Sequence, residues 1–66
     1  MITQHQMIRE YIKQFGEISP SHLSGVRYMG GIFGSEISRR ARELRAKGEL
    51  ESRRVGKFEI FKFKED

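Results

Sequence analysis

No cysteine occurs among the 66 residues of this chain. A chain of that length buries only about 60% of the surface its unfolded form exposes. Without disulfides or thiolate metal sites, side-chain packing alone must hold it together. The fold therefore has to come from a few short elements closing on one small core, in a single domain with no enclosed cavity for a small-molecule substrate. Only 36% of the residues are hydrophobic, but five Phe and two Tyr supply bulk. The missing thiols fit an intracellular, cytoplasmic setting. No apolar run approaches the roughly 20 residues of a membrane span. Met1-Ile2-Thr3-Gln4-His5 leads into a polar segment, unlike a signal peptide.

Periodicity and punctuation divide the chain. Thr3-Gln4-His5-Gln6 has the form of a capping box, with Ile2 and Met7 placed as its hydrophobic staple. Met7, Ile8, Tyr11, Ile12 and Phe15 recur at three-to-four spacing, and Gly16 is a natural stop, which predicts a helix over residues 3–15. Glu17-Ile18 suffices only for a bridging strand. Ser19-Pro20 then signals a second helix over 20–24, with Ser19 as N-cap and Pro20 at the first position, Leu23 inward and Gly25 as its end. Val26 to Gly31 reads as a connector with room for a helical turn of its own. A third helix is expected from about Ile32 or Ser35 to Lys47, closed by Gly48.

In that third helix Phe33, Ile37, Ala41 and Leu44 form one apolar seam. At about 100° per residue, Ser35, Ser38, Arg39, Arg42 and Ala46 point away from it. Arg45 lies near one border, and Arg40 and Lys47 near the other. The tail reads as a hairpin over 49–64: Glu49 to Val55, a Gly56-Lys57 turn, then Phe58 to Lys64. Phe61 and Phe63 are assigned inward with Leu50, and Phe58 and Ile60 to the other face, an assignment that a one-residue slip would reverse.

The net charge of +4 sits in one stretch. From Ser35 to Lys57 there are eight cations (Arg39, Arg40, Arg42, Arg45, Lys47, Arg53, Arg54, Lys57) against Glu36, Glu43, Glu49 and Glu51. Elsewhere the charges cancel. Clustered positive charge attracts a polyanion, because neutralising phosphates releases condensed counterions. It is equally the mark of a solvated helix face with intrahelical pairs such as Glu36–Arg40, and at a hairpin tip it also guards an edge strand against aggregation.

Helix, minimal strand, short helix, longer basic helix and β-hairpin, in that order over residues 3–64, resemble the winged helix-turn-helix fold, an α+β class with three helices and a C-terminal wing. The most specific stretch is Ser38-Arg39-Arg40-Ala41-Arg42-Glu43-Leu44-Arg45-Ala46-Lys47-Gly48-Glu49-Leu50, followed by the tip Arg53-Arg54-Val55-Gly56-Lys57. It is most similar to the short helix-turn-helix proteins of bacteriophages and prophages. The segment Gly25 to Gly34 departs from that pattern, being longer and richer in Gly than the usual turn between second and third helices.

The resemblance implies a transcriptional regulator that binds double-stranded DNA in the bacterial or phage-infected cell, close to the nucleoid. The third helix would enter the major groove and the wing would touch backbone or minor groove. Carried over, the DNA-binding residues are Ser35, Ser38, Arg39, Arg42 and Arg45 on the helix, and Arg53, Arg54 and Lys57 on the wing. Arg39 and Arg42, nearest the centre of the outward face, are the candidates for bidentate contact with guanine. Arg45, Arg53, Arg54 and Lys57 would meet phosphates. Ser19, Ser21 and Ser24 could cap the second helix or donate to a phosphate.

The main alternative is a winged helix used for protein interaction, such as a phage accessory factor, with Phe58 and Ile60 as the surface to inspect. A homodimer through those residues or the first helix would double the DNA contact. RNA ranks lower, since its duplex major groove is too deep and narrow for a helix. No metal or other cofactor is expected: His5 and His22 are the only imidazoles, and one Asp stands at the chain end. An enzyme is not expected either. Gly30-Gly31-Ile32-Phe33-Gly34 lacks the Lys-Ser/Thr of a P-loop, and no nucleophile–base pair suggests itself.

Overall fold

The structure is a computed structural model that describes residues 3–64. Its elements are α1 (Gln4–Phe15), a single 3-10 turn (Pro20–His22), β1 (Arg27–Tyr28), β2 (Gly31–Ile32), α2 (Ile37–Ala46), β3 (Leu50–Val55) and β4 (Phe58–Phe63). This is an α+β arrangement of two helices and two small antiparallel sheets. No helix among the described residues is long and apolar enough to cross a membrane.

Helix α1 forms where its sequence predicts, except that Phe15, expected on its apolar stripe, stands exposed at the helix end. The Thr3 hydroxyl accepts from Gln6 N–H at 3.1 Å, and Gly16, at φ +89°, closes the helix by donating to the Ile12 carbonyl at 2.7 Å. The staple partner Ile2 lies outside the described residues. Met7, Ile8 and Ile12 are buried, Tyr11 is partly so, and Phe15 at the helix end is exposed. Ile18 forms one antiparallel bridge with Phe61, donating at 2.8 Å and accepting at 2.9 Å, so the minimal strand expected at 17–18 is present as a single residue.

Two expectations are corrected. The second helix is one 3-10 turn, held by His22 N–H to Ser19 carbonyl (3.0 Å) and Leu23 N–H to Pro20 carbonyl (3.1 Å). Ser19 does not cap it with its side chain; the hydroxyl meets His22 Nδ1 at 2.9 Å instead. The segment expected to be a connector and the start of the third helix is a β-hairpin, with Arg27 opposite Ile32 and Tyr28 opposite Gly31. Its ladder runs on through Phe33 N–H to Val26 carbonyl (2.8 Å) and Gly25 N–H to Phe33 carbonyl (2.6 Å). These bonds occupy the Phe33 backbone, and the Gln4 amide fixes the next residues by donating to Ile32 carbonyl (2.9 Å) and accepting from Gly34 N–H (3.2 Å). The basic helix therefore starts at Ile37 rather than at 32 or 35, and Phe33 reaches the core from extended backbone.

The tail hairpin pairs Leu50 with Phe63, Ser52 with Phe61, Arg54 with Glu59 and Val55 with Phe58. That register turns Leu50 and Phe61 inward, as the sequence predicts, while Phe63, expected inward with them, is only partly buried at the margin of the core. Ten apolar side chains from every element except the Pro20–His22 turn and the β1–β2 hairpin make one core: Met7, Ile8, Ile12, Ile18, Phe33, Ile37, Ala41, Leu44, Leu50 and Phe61. The body measures 30 × 25 × 20 Å.

Candidate nucleic-acid interface

Ile37, Ala41 and Leu44 fasten α2 to the core, so helical periodicity turns Arg39 and Arg42 to solvent and leaves Ser38 half-buried. What distinguishes these arginines from their neighbours is which ones meet a carboxylate. Arg40 donates to Glu36 at 3.2 Å and to Glu43 at 3.0 Å, and Glu43 also accepts from His5 Nε2 at 3.0 Å. The Arg40 hydrogen bond, and after it that of His5, holds the Glu43 carboxyl below the usual range, and the same contact raises the Arg40 guanidinium. Arg45 reaches across to the hairpin, where Nη1 donates to Glu59 Oε2 at 2.7 Å and to Ser52 Oγ at 2.8 Å, with its guanidinium 5.8 Å from the Phe61 ring centre. Arg53 pairs with Glu17 at 3.2 Å.

The remaining pairs are Arg9–Glu49, Lys13–Glu10 and Lys62–Glu51. With them, every carboxylate of residues 3–64 lies within 3.3 Å of a cationic or imidazole side chain. Exposed pairs of this kind contribute about 0–1 kcal/mol each to stability. Their larger effect is local: they decide where positive charge is left over. Among the described residues Arg27, Arg39, Arg42, Lys47, Arg54, Lys57 and Lys64 have no carboxylate partner.

Three of these, Arg42, Arg54 and Lys57, line one cleft of about 180 Å³ together with Ser38, Ser21, Pro20, Glu59 and Phe61. The cleft lies where the Pro20–His22 turn, α2 and the β3–β4 hairpin meet. Arg39 is exposed one residue along α2 from Ser38. Four of the eight residues that the winged-helix resemblance implies, Ser38, Arg42, Arg54 and Lys57, are thus brought together, with Arg39 adjacent in sequence on the same helix. The other three stand differently. Ser35 is exposed in the turn before α2, Arg45 is committed to Glu59 and Ser52, and Arg53 alternates to the hairpin face opposite Arg54. Of the cleft residues, Glu59 escaped notice because its neighbours are set by cross-strand register. Ser21 carried only the weak signal of a hydroxyl beside a helix start.

The cleft offers cationic and hydroxyl donors and one carboxylate that is already hydrogen-bonded, an arrangement suited to an anion. Elsewhere among the described residues no three metal-ligating side chains come together. No protein-family model, curated protein or solved structure matches the chain.

Proposed function

We propose that this protein is a small double-stranded DNA-binding regulator of winged-helix type, with α2 as the helix that enters the major groove and β3–β4 as the wing. The observation that carries this reading is the convergence of Arg42 from α2 with Arg54 and Lys57 from the wing on one cleft, none of them neutralised by a carboxylate of residues 3–64. An α-helix about 10–12 Å across fits a major groove about 12 Å wide. Arg39, exposed and without a carboxylate partner, has the reach for a guanine edge, where a bidentate pair supplies about 1–3 kcal/mol of discrimination.

The test is a fluorescence-anisotropy titration with a labelled duplex at about 50 and 200 mM salt, across which several phosphate contacts cost orders of magnitude in affinity. A steep fall is expected, and Arg39→Ala and Arg42→Ala should lose binding while keeping their circular dichroism. Absence of binding at low salt by folded protein, or affinity unmoved by salt, overturns the reading. A protein partner docking through Phe58 and Ile60 has less behind it, since Ile60 is half-buried and the Phe58 ring rests 4.2 Å from the His22 imidazole.

A further inference from the structure

The cleft between the Pro20–His22 turn, α2 and the hairpin differs from the rest of the cationic surface in its size. At about 180 Å³ it falls below the roughly 300–1,000 Å³ of pockets that hold drug-sized molecules, and it is large enough for one oxyanion. Cations reach it from two elements, Arg42 on α2 and Arg54 and Lys57 on the hairpin, and hydroxyls from two, Ser21 on the turn and Ser38 on α2. Its single carboxylate is restrained. Glu59 stands opposite Arg54 in the hairpin register, where oppositely charged neighbours ordinarily pair. Its Oε2 instead accepts from Arg45 at 2.7 Å, which leaves Arg54 free.

We infer that this cleft is a seat for a single phosphate group, gripped by Arg42, Arg54 and Lys57 with the Ser21 and Ser38 hydroxyls as further donors, and that Arg45 is the positioning residue that keeps Glu59 from neutralising it. The seat changes the division of labour on α2. Arg42 becomes a ligand for phosphate, which fixes position and register, and Arg39 is left as the arginine free to read bases. The occupant is a backbone phosphodiester of duplex DNA, an assignment that rests on the DNA-binding reading; a free or terminal phosphate presents the same tetrahedral oxygens.

The experiment follows backbone amide and arginine side-chain NMR resonances of the full chain. Dimethyl phosphate, inorganic phosphate and a duplex without 5′-phosphates are added separately at constant ionic strength, with chloride as control. Saturable shifts centred on Ser21, Ser38, Arg42, Arg54 and Lys57 are expected with both phosphates. Arg54→Gln/Lys57→Gln should weaken them about tenfold or more, equivalent to about 1.4 kcal/mol, while Arg27→Gln/Lys64→Gln should leave them in place. Displacement of dimethyl phosphate by the duplex assigns the seat to the DNA backbone. If both phosphates bind there but the duplex neither binds nor displaces them, the seat stands for a free phosphate and the DNA reading falls. If the duplex binds while the phosphates move these resonances no more than chloride does, the seat is overturned and the DNA reading stands.

Discussion

Glu59 lies across the hairpin from Arg54, yet its carboxylate accepts from Arg45 on the neighbouring helix at 2.7 Å. Removing the Arg45 side chain therefore does more than subtract one positive charge: it returns Glu59 to Arg54. Arg45→Ala is expected to weaken duplex binding, and Glu59→Gln to recover more affinity in the Arg45→Ala background than in the wild type. The double-mutant cycle measured by anisotropy checks this, and purely additive effects would count against it. Glu43 gives a second residue-scale expectation. Its carboxyl is held below the ordinary value by Arg40 and then His5. A carboxyl depressed in the folded state stabilises above its unfolded value of about 4.3, and loses that contribution as pH falls through the lower folded value. Glu43→Gln should thus flatten the acid limb of stability below about pH 4.3, read from denaturant midpoints; an unchanged limb would deny the coupling. The sequence made visible that the stretch from Ser35 to Lys57 is basic. It could not show which arginines stay free, because Glu17, Glu49 and Glu59 reach Arg53, Arg9 and Arg45 only through the folded chain.

Among the elements, α1 and the β3–β4 hairpin were legible because their signals are local: a cap, a 3.6-residue stripe, a Gly stop, and β-formers around a Gly-containing turn. The β1–β2 hairpin was not. Its two strands are too short to show alternation, and its turn residues Met29 (φ +52°) and Gly30 (φ +78°) are both in the left-handed region. Two positive φ values in a two-residue loop match the type I′ turn that twisted hairpins prefer, whose usual sequence is Asn-Gly. Methionine in the first position hides that signature and carries the cost of a side chain in a conformation that L-residues disfavour. Met29→Asn should therefore stabilise the protein, by about 0.5–1 kcal/mol, which raises Tm by a few degrees in a domain of this size. A thermal melt that falls or stays level would place the hairpin turn differently. The hairpin also explains where the basic helix begins, since Phe33 spends its backbone bonds on the β ladder and is not available to α2.

For the molecule as a whole, the first helix, the basic helix and the tail hairpin were readable in order, though not the β1–β2 hairpin between them, and most of the core was readable too: Phe33, Ile37, Ala41 and Leu44 are buried as their spacing suggests, although Phe33 arrives by a different backbone and Phe15 is exposed. The convergence of Ser21, Ser38 and Arg42 with Arg54 and Lys57 was less readable. It depends on how the hairpin packs over α2, where Leu44, Leu50 and Phe61 share the core and Arg45 bonds to Ser52 and Glu59 at the surface.

The longest dimension, 30 Å, has a consequence for the search that a DNA-binding regulator, as proposed, would face. At about 3.4 Å per base pair a body of that length spans about nine base pairs. A nine-base-pair word recurs by chance about once in 10⁵ base pairs, so a genome offers many decoys even to a perfect reader of every position. One copy supplies a grip and a partial address. A unique address needs a second copy on the same face of the duplex, about one helical turn (34–36 Å) away, and two bodies 30 Å long fit at that spacing without overlapping.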